Sequence, residues 1–264
     1  MFFQITNLDR PELEPYRTLR RPEDHWRRRI FVAEGEKVVR RLMQTELSII
    51  SFLMTPQWKQ QIFPDNDAAA PVYIASKDLL ETIVGFPLHQ GIMAVAKMPE
   101  EGSLSELLSV HKEPLIVALD GVVNAENVGV AVRNCAAFGA DAILIDQTSS
   151  SPWLRRSVRN SMGGIFQIKS FHVPDLAQQL AELKQSYGMR IIAAHPAGNS
   201  QLNSIDLKRG IVLVFGNEGH GISERTLKAA DHAVSIPMSN NTDSLNVASA
   251  IAVFLYVASL QRNS

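Results

Sequence analysis

The chain has 264 residues, 45% of them apolar and 20% charged, so it is long enough for one large domain or two small ones and has an ordinary soluble globular composition. Its net charge of −1 does not by itself indicate a polyanionic partner. One cysteine, Cys135, excludes an intrachain disulfide and a cysteine-based zinc site and favours a reducing cytoplasm. We predict neither a secretory signal nor a membrane span, because no apolar run approaches ~20 residues.

The part of the chain between Ile30 and Met98 alternates helical and strand-like segments. The segment FVAEGEKVVRRLMQ predicts a helix, and SKDLLETIV predicts another with Ser76 as its N-cap. Short apolar runs predict three strands, in LSIISFLM, PVYIAS and GIMAVAKM. We therefore predict a first domain in residues 1–98, in which residues 1–29 are an extension of unassigned role.

A polar segment bounded by Pro99 and Pro114 follows, and we interpret residues 99–113 as a linker with one helical turn. Residues 114–264 form the second predicted domain. Its strands are predicted in LIVAL, AILI, MRIIAA, IVLVFG and HAVSIP. Helices are predicted from Asn127, in PDLAQQLAELKQSYG up to Gly188, from Ser223 and from about Ser244. Continuous apolar strands between helices are typical of a parallel α/β sheet that is covered on both faces.

Three of these strands end in polar loops, where ligands bind in such sheets. They are DGVVNAENVG, FGNEGHGIS and IPMSNNTDSLN. The second loop places Glu218 among glycines that permit close backbone approach, yet it has neither the Walker A pattern nor GxGxxG. In the third loop, either Ser244 or Asn246 can cap the last helix, although capping does not account for so many hydrogen-bonding side chains.

Arg133 stands out on the helix that follows the first loop, which Asn127 can cap. Gly129, Ala136 and Ala137 share its helix face by their spacing, so the arginine rises from a surface of small residues. Two interpretations stay open at this point. Either another helix packs on that face, or a phosphate or ribose approaches it.

The positive charge is unevenly distributed, because two segments of the chain are rich in arginine. Arg17–Arg29 contains six arginines against two acids, among them Arg27, Arg28 and Arg29. The second cluster, in WLRRSVRN, includes Arg155 and Arg159. Such patches are either solvated surface or a contact for a phosphate backbone.

The three loops together resemble motifs 1, 2 and 3 of the TrmH/SpoU family of RNA methyltransferases, in family order and spacing. These motifs are NAENVGVAVRNCAAFGAD, LVFGNEGHGIS and IPMSNNTDSLNVASAIAVFLY. RNSMGGIF is similar to a further family stretch, and AEGEKVVRRL and HQGIMAVA resemble the N-terminal RNA-recognition domain of the family. The resemblance covers residues 30–264, with one departure, since many members have glycine at the position of Asn240.

The resemblance implies a parallel α/β sheet with a C-terminal trefoil knot, a homodimer whose active site is completed across the interface, and a bent S-adenosylmethionine in the knot. It implies methyl transfer to a ribose 2′-hydroxyl of tRNA or rRNA. The cofactor methyl is already activated, so no metal is required. Motif residues carried over as catalytic are Asn127, Arg133, Glu218, Ser244 and Asn246. Those carried over as cofactor-binding are Ala194, Gly216, Asn217, Gly221, Ile236, Met238 and Leu245.

Two rival functions remain at this stage. A catalytically silent RNA-binding protein could use the same scaffold, although the intact motif residues argue against it. A small-molecule or nucleotide-binding α/β enzyme is disfavoured, because the usual phosphate-loop patterns are missing.

Overall fold

The computed structural model describes residues 1–84, 91–239 and 244–263. The chain forms two compact units. The first contains Met1–Glu100 and Trp153–Phe166, and the second contains Glu101–Pro152 and Gln167–Ser264. The range predicted for the second domain therefore includes Trp153–Phe166, which the structure groups with the first unit. Of the helices in the described ranges, none is long and apolar enough to cross a membrane.

The strands of the described ranges are numbered in chain order. They are β1 (Phe2–Gln4), β2 (Ile30–Glu34), β3 (Ile49–Met54), β4 (Val72–Ile74), β5 (Ile92–Lys97), β6 (Leu115–Asp120), β7 (Ala142–Asp146), β8 (Lys169–Val173), β9 (Arg190–Ala194), β10 (Ser200–Gln201), β11 (Ile211–Gly216) and β12 (His232–Ser235).

The α-helices are numbered in the same way. They are α1 (Glu14–Arg17), α2 (Pro22–Arg27), α3 (Glu36–Met43), α4 (Pro56–Ile62), α5 (Lys77–Val84), α6 (Leu104–Val110), α7 (Ala125–Phe138), α8 (Arg155–Asn160), α9 (Leu176–Tyr187), α10 (Glu224–Ala229) and α11 (Val247–Arg262).

The first unit is built on a five-stranded mixed sheet in the order β1-β4-β3-β5-β2. The three predicted strands of this region are confirmed as β3, β4 and β5, and Ser76 accepts a hydrogen bond from the Leu79 N–H at the start of α5, as predicted for an N-cap. The prediction of helix from Phe31 onward is wrong, because Ile30–Glu34 pairs antiparallel with β5. Gly35, with φ 94°, separates this strand from α3, so the helix begins only at Glu36.

Residues 1–29 are part of the core of the first unit. Strand β1 pairs with β4, and the side chains of Leu13 and Tyr16 are fully buried. The Tyr16 hydroxyl lies 3.0 Å from both the carbonyl oxygen and the hydroxyl of Ser51. The extension therefore completes the sheet edge and the apolar core of this unit.

The segment Trp153–Phe166 packs against β2 of the same unit. The ring centroids of Phe31 and Trp153 are 4.9 Å apart, and Phe166 lies 5.9 Å from Phe31. The Arg155 guanidinium forms an ion pair with the Glu34 carboxylate at the end of β2. Aromatic packing and this ion pair together fix the segment on the strand.

The second unit is a seven-stranded sheet in the order β10-β12-β9-β11-β6-β7-β8, and every strand pair in it is parallel. Helices α6, α9 and α10 cover one face, where Leu108 and Leu180 join the core. The ring of Phe215, which points to the opposite face, packs edge-on against Phe254 of α11 at 5.3 Å. The predicted parallel α/β sheet is confirmed. The helical turn predicted within the linker corresponds to α6, which is longer, at 7 residues.

Candidate cofactor pocket and active site

Two of the three polar loops lie side by side, because β6 and β11 are neighbours in register. Asp120 is the residue opposite Gly216, so the loops after both strands start at the same edge of the sheet. The third loop follows β12, which is separated from β11 only by β9. Residues 240–243 of that loop, including the departure at Asn240, lie outside the described residues. Strand order thus brings the three motif segments to one edge.

Asn217 ties two of these loops together. Its side-chain amide donates to the Gly121 carbonyl at 2.7 Å, and its amide oxygen accepts from the backbone N–H groups of Gly219 and His220 at 2.8 and 3.0 Å. The backbones of Asn217 and Gly221 also pair with each other. A side chain at Gly216 would collide with the backbone of Gly221, so this tight turn requires glycine. The turn directs the neighbouring Glu218 towards α7.

Asn127, Glu218 and Asn246 form a hydrogen-bonded cluster from all three motifs. The Asn127 amide donates to the Glu218 carboxylate at 2.6 Å, and the Asn246 amide donates to the Asn127 side-chain oxygen at 3.1 Å. These two hydrogen bonds join residues that are 91 and 119 positions apart in the chain. Side chains of all three motifs therefore meet in one hydrogen-bonded group at this edge of the sheet.

The caps of the two helices explain why Asn127 and Asn246 can meet. The cap of α7 is Asn124, which accepts from the Glu126 N–H, so the prediction of Asn127 as the cap is wrong. This leaves the Asn127 side chain available for Glu218. The cap of α11 is Asn246, which resolves the choice left open between it and Ser244. The side-chain oxygen of Asn246 accepts the capping hydrogen bonds, while its side-chain nitrogen donates to Asn127.

A pocket of about 600 Å³ opens beside the cluster. Phe215, Val234 and Phe254 contribute apolar surface to it. Glu218, Ser244 and Asn246 also line it, and so do all the residues predicted to bind the cofactor: Ala194, Gly216, Asn217, Gly221, Ile236, Met238 and Leu245. His195 and His220 line the pocket as well, and the sequence reasoning missed them, since neither belongs to a recognisable pattern. In the described residues there is no group of His, Cys, Asp and Glu side chains that could bind a metal ion.

Arg133 lies outside the pocket lining. It sits six residues after Asn127, roughly 9 Å further along α7, and its side chain is exposed. Within the part of the chain that the structure describes, it has no hydrogen bond or ion pair. Helix α7 packs on α11, where Asn134 donates to the Ala248 carbonyl at 2.8 Å and the rings of Phe138 and Tyr256 lie edge to face. Arg133 is thus an exposed cation on the same helix as Asn127, and it has no partner among the residues that the structure describes.

A buried carboxylate at the end of β7 holds the first motif loop. Asp146 accepts from the N–H groups of Gly121, Thr148 and Ser149 at 2.9, 3.0 and 2.9 Å, and from the Thr148 hydroxyl at 2.6 Å. Burial alone would raise the pKa of Asp146, but these hydrogen bonds outweigh it and leave the pKa below its ordinary value. Sequence reasoning missed Asp146, because a single Asp after a strand carries no distinctive signal.

The predicted RNA-binding arginines have different surroundings. Arg155 is only 11% exposed in its ion pair with Glu34, which leaves little of its guanidinium for a phosphate. Arg159 is 39% exposed and lies 3.5 Å from the same carboxylate. Arg27 pairs with Asp24, Arg28 pairs with Glu14, and Arg29 donates to the Pro99 carbonyl. Arg155 therefore has little exposed surface for an RNA contact, whereas the other four arginines remain accessible.

Comparison with known proteins identifies the class to which this site belongs. Residues 114–256 match the SpoU rRNA Methylase family, and the chain belongs to that family. An uncharacterized tRNA/rRNA methyltransferase of Mycobacterium bovis is 33% identical over 262 residues, which cover 96% of this chain and 90% of the relative. The 23S rRNA (guanosine-2′-O-)-methyltransferase RlmB of Acinetobacter baylyi is 31% identical over a region that covers 71% of this chain and 77% of the relative.

Solved structures agree with this assignment. The AdoMet-bound rRNA methyltransferase from Sinorhizobium meliloti superposes with a TM-score of 0.82 at 26% identity, covering 97% of each chain. The fold therefore extends over the first unit as well as over the residues of the family match.

Proposed function

We propose that the chain transfers a methyl group from S-adenosylmethionine to a ribose 2′-hydroxyl of rRNA or tRNA. The observation that carries the proposal is the cluster of Asn127, Glu218 and Asn246, which joins all three motifs at the rim of the pocket. The family match makes the chain an RNA methyltransferase, and the 2′-hydroxyl as acceptor follows the reaction named for the RlmB relatives.

The pocket residues fit the cofactor. Apolar side chains of Phe215, Val234 and Phe254 suit a flat base, and a volume of about 600 Å³ lies in the range of small-molecule sites. Met238 and Leu245 line the pocket and are 37% and 40% exposed, so their surfaces are accessible to a ligand. S-adenosylmethionine supplies an electrophilic methyl group. Ala194, Gly216, Ile236, Met238 and Leu245 would hold the cofactor.

The residues of the chain then have to orient the ribose hydroxyl and stabilise its developing negative charge. Arg133 is a poor general base, because the pKa of arginine exceeds 12. We assign it to the target phosphate and the developing alkoxide, which its planar guanidinium suits. Glu218 fixes the Asn127 amide, and Asn127 in turn fixes Asn246 beside the pocket. Ser244 lines the same rim with its hydroxyl.

The first unit is proposed to bind RNA through its exposed arginines. Arg27 and Arg28 form ion pairs that remain exposed to solvent, and such pairs exchange readily for a phosphate. The Arg159 side chain is itself 39% exposed, although its partner Glu34 is only 12% exposed. The second unit is proposed to contain the trefoil knot that the family resemblance implies. Gln261 and Arg262 of α11 hydrogen-bond to the segment 205–209, which agrees with a tightly packed C-terminal part.

We expect a homodimer that buries part of α7 and α11. Tyr256 and Leu260 on α11 are 52% and 54% exposed, and the helix is apolar on more than one side. Light scattering at micromolar concentration should give the mass of two chains. Leu260→Glu should shift the mass to one chain without unfolding it, because the side chain is exposed in the single chain. A monomeric wild-type protein would contradict the expectation.

Methyl transfer to RNA tests the proposed function directly. Purified protein with labelled S-adenosylmethionine should methylate bulk RNA from cells that lack the gene, and RNA from cells that have it should accept far less. Mapping of 2′-O-methyl sites in both RNAs identifies the nucleotide and decides between rRNA and tRNA. Methylation of a base instead of a ribose would refute the proposed acceptor. Binding of RNA without any methyl transfer would indicate the silent RNA-binding protein.

A further inference from the structure

An exposed tryptophan lies within the arginine cluster of the first unit. Trp26 is 40% exposed near the C-terminal end of α2, whereas its neighbour His25 is buried. The guanidinium carbon of Arg29 lies 5.6 Å from the centre of the Trp26 ring. The ring therefore offers a flat apolar surface next to a positive charge.

The position of Arg29 beside this ring is held by its backbone and its side chain. Arg29 has a φ of 52°, which an arginine adopts at some energetic cost, and its N–H donates to the Trp26 carbonyl at 3.0 Å. Its guanidinium also donates to the Pro99 carbonyl at 2.9 Å. The aromatic ring and the planar cation are therefore presented together as one surface, which we call the Trp26–Arg29 platform.

The charge around the platform indicates a polyanionic partner. The segment Arg17–Arg29 contains six arginines and two acids. Arg17 and Arg21 are exposed and make no ion pair within the described residues. A segment that combines exposed guanidinium groups with an exposed aromatic ring suits a strand that has both phosphates and unstacked bases.

We propose that the Trp26–Arg29 platform stacks an unpaired base of the RNA substrate, while Arg17 and Arg21 contact its phosphates. The inference rests on the proposed function in that RNA is the substrate. It adds a binding site for single-stranded RNA, located in residues 1–29. A paired duplex has no free base face to offer, so the platform distinguishes unpaired RNA from duplex.

The test compares two RNA probes, a single-stranded oligoribonucleotide and the same strand annealed to its complement. Trp26→Ala should weaken binding of the single strand about 5- to 150-fold, the range for loss of one stacked base, and should leave duplex affinity within about twofold. Trp26→Phe should keep most of the single-strand affinity. Trp58→Ala, which removes a tryptophan from α4 of the same unit, is the matched control and should bind both probes like the wild type.

A charge variant separates stacking from phosphate contact. Arg17→Gln combined with Arg21→Gln should weaken both probes and lower the slope of log affinity against log salt by about 0.7–0.9 for each phosphate that the protein no longer neutralises. Trp26→Ala should leave that slope unchanged. Melting temperatures of all variants are measured alongside, so that a folding defect is recognised.

Each outcome decides the proposal. The platform is refuted if Trp26→Ala binds the single strand with wild-type affinity, or if the substitution weakens binding of both probes equally. The proposed function still stands in either case, provided that this variant methylates RNA. Failure of the wild-type protein to bind the single strand also overturns it. Failure of the wild-type protein to methylate any RNA counts instead against the proposed function.

Discussion

Replacing Arg133 with alanine is expected to reduce methyl transfer by at least ~100-fold, the scale observed when one preorganised charge-stabilising donor is lost. Folding should be nearly unaffected, because the side chain is exposed and has no partner within the described residues. Cofactor affinity should also persist, since Arg133 does not line the pocket. Turnover, cofactor affinity and melting temperature are measured on the same preparation.

Two further variants make this result specific. Arg133→Lys should also lose activity, because an ammonium cannot reproduce the planar, two-pronged contact of a guanidinium. Arg225→Ala removes another exposed arginine of the second unit, one that pairs with Asp175 on the surface, and should retain wild-type turnover. If Arg133→Ala methylates RNA at nearly the wild-type rate, Arg133 is only a surface residue and its assignment is wrong.

Asp146→Ala is expected to lower the free energy of unfolding by about 3 kcal/mol, because three backbone N–H groups lose their acceptor near a buried site. The affected groups belong to Gly121, Thr148 and Ser149. Asp146→Asn keeps one acceptor oxygen and should cost about half as much. Denaturant unfolding at neutral pH measures both values. Glu182→Ala, an exposed carboxylate on α9, serves as control and should change stability by less than about 0.5 kcal/mol.

The contribution of Asp146 should depend on pH in a defined direction. The pKa of its carboxyl is lower in the folded protein than in the unfolded chain, so folding favours the ionised form. The stabilisation is complete above the unfolded pKa of about 3.9 and is lost as the pH falls through the lower, folded pKa. The stability difference between wild type and Asp146→Asn should therefore be constant at neutral pH and shrink only below about pH 4. A difference that grows on acidification would contradict this linkage.

The five strands predicted for the second unit were recognisable from sequence, since they are short and largely apolar runs. Strand β2 was not, because the apolar residues of Ile30–Glu34 run directly into the helix α3 and only pairing with β5 decides their conformation. Strand β8, with its alternating KSFHV, was not predicted either. Local pattern therefore specified strands buried on both faces better than strands at a sheet edge.

The residues of the site were likewise predicted only in part. The resemblance selected residues of which all but Asn127 and Arg133 line one pocket, but it could not say which asparagine caps α7 and which contacts Glu218. That choice depends on Asn124 occupying the cap. Arg155 was predicted as an RNA contact from charge alone, and its partner Glu34, 121 positions away, is invisible to sequence spacing. Pairings over such distances are set by the tertiary fold.

The parallel order of the second sheet has a consequence for how the molecule reaches its native state. Strands β6 and β11 are distant in the chain, so that Asn217 and Gly121 are joined across 96 positions, and helices α7 and α11 are joined by Asn134 and Ala248 across 114. Closing loops of this length costs entropy before any contact forms, and chains rich in such pairings fold slowly. The motif cluster cannot exist in a half-folded chain, because Asn127 is joined to Glu218 across 91 positions and to Asn246 across 119. We therefore expect the cluster to form late in folding, after the sheet that carries its three motifs has closed.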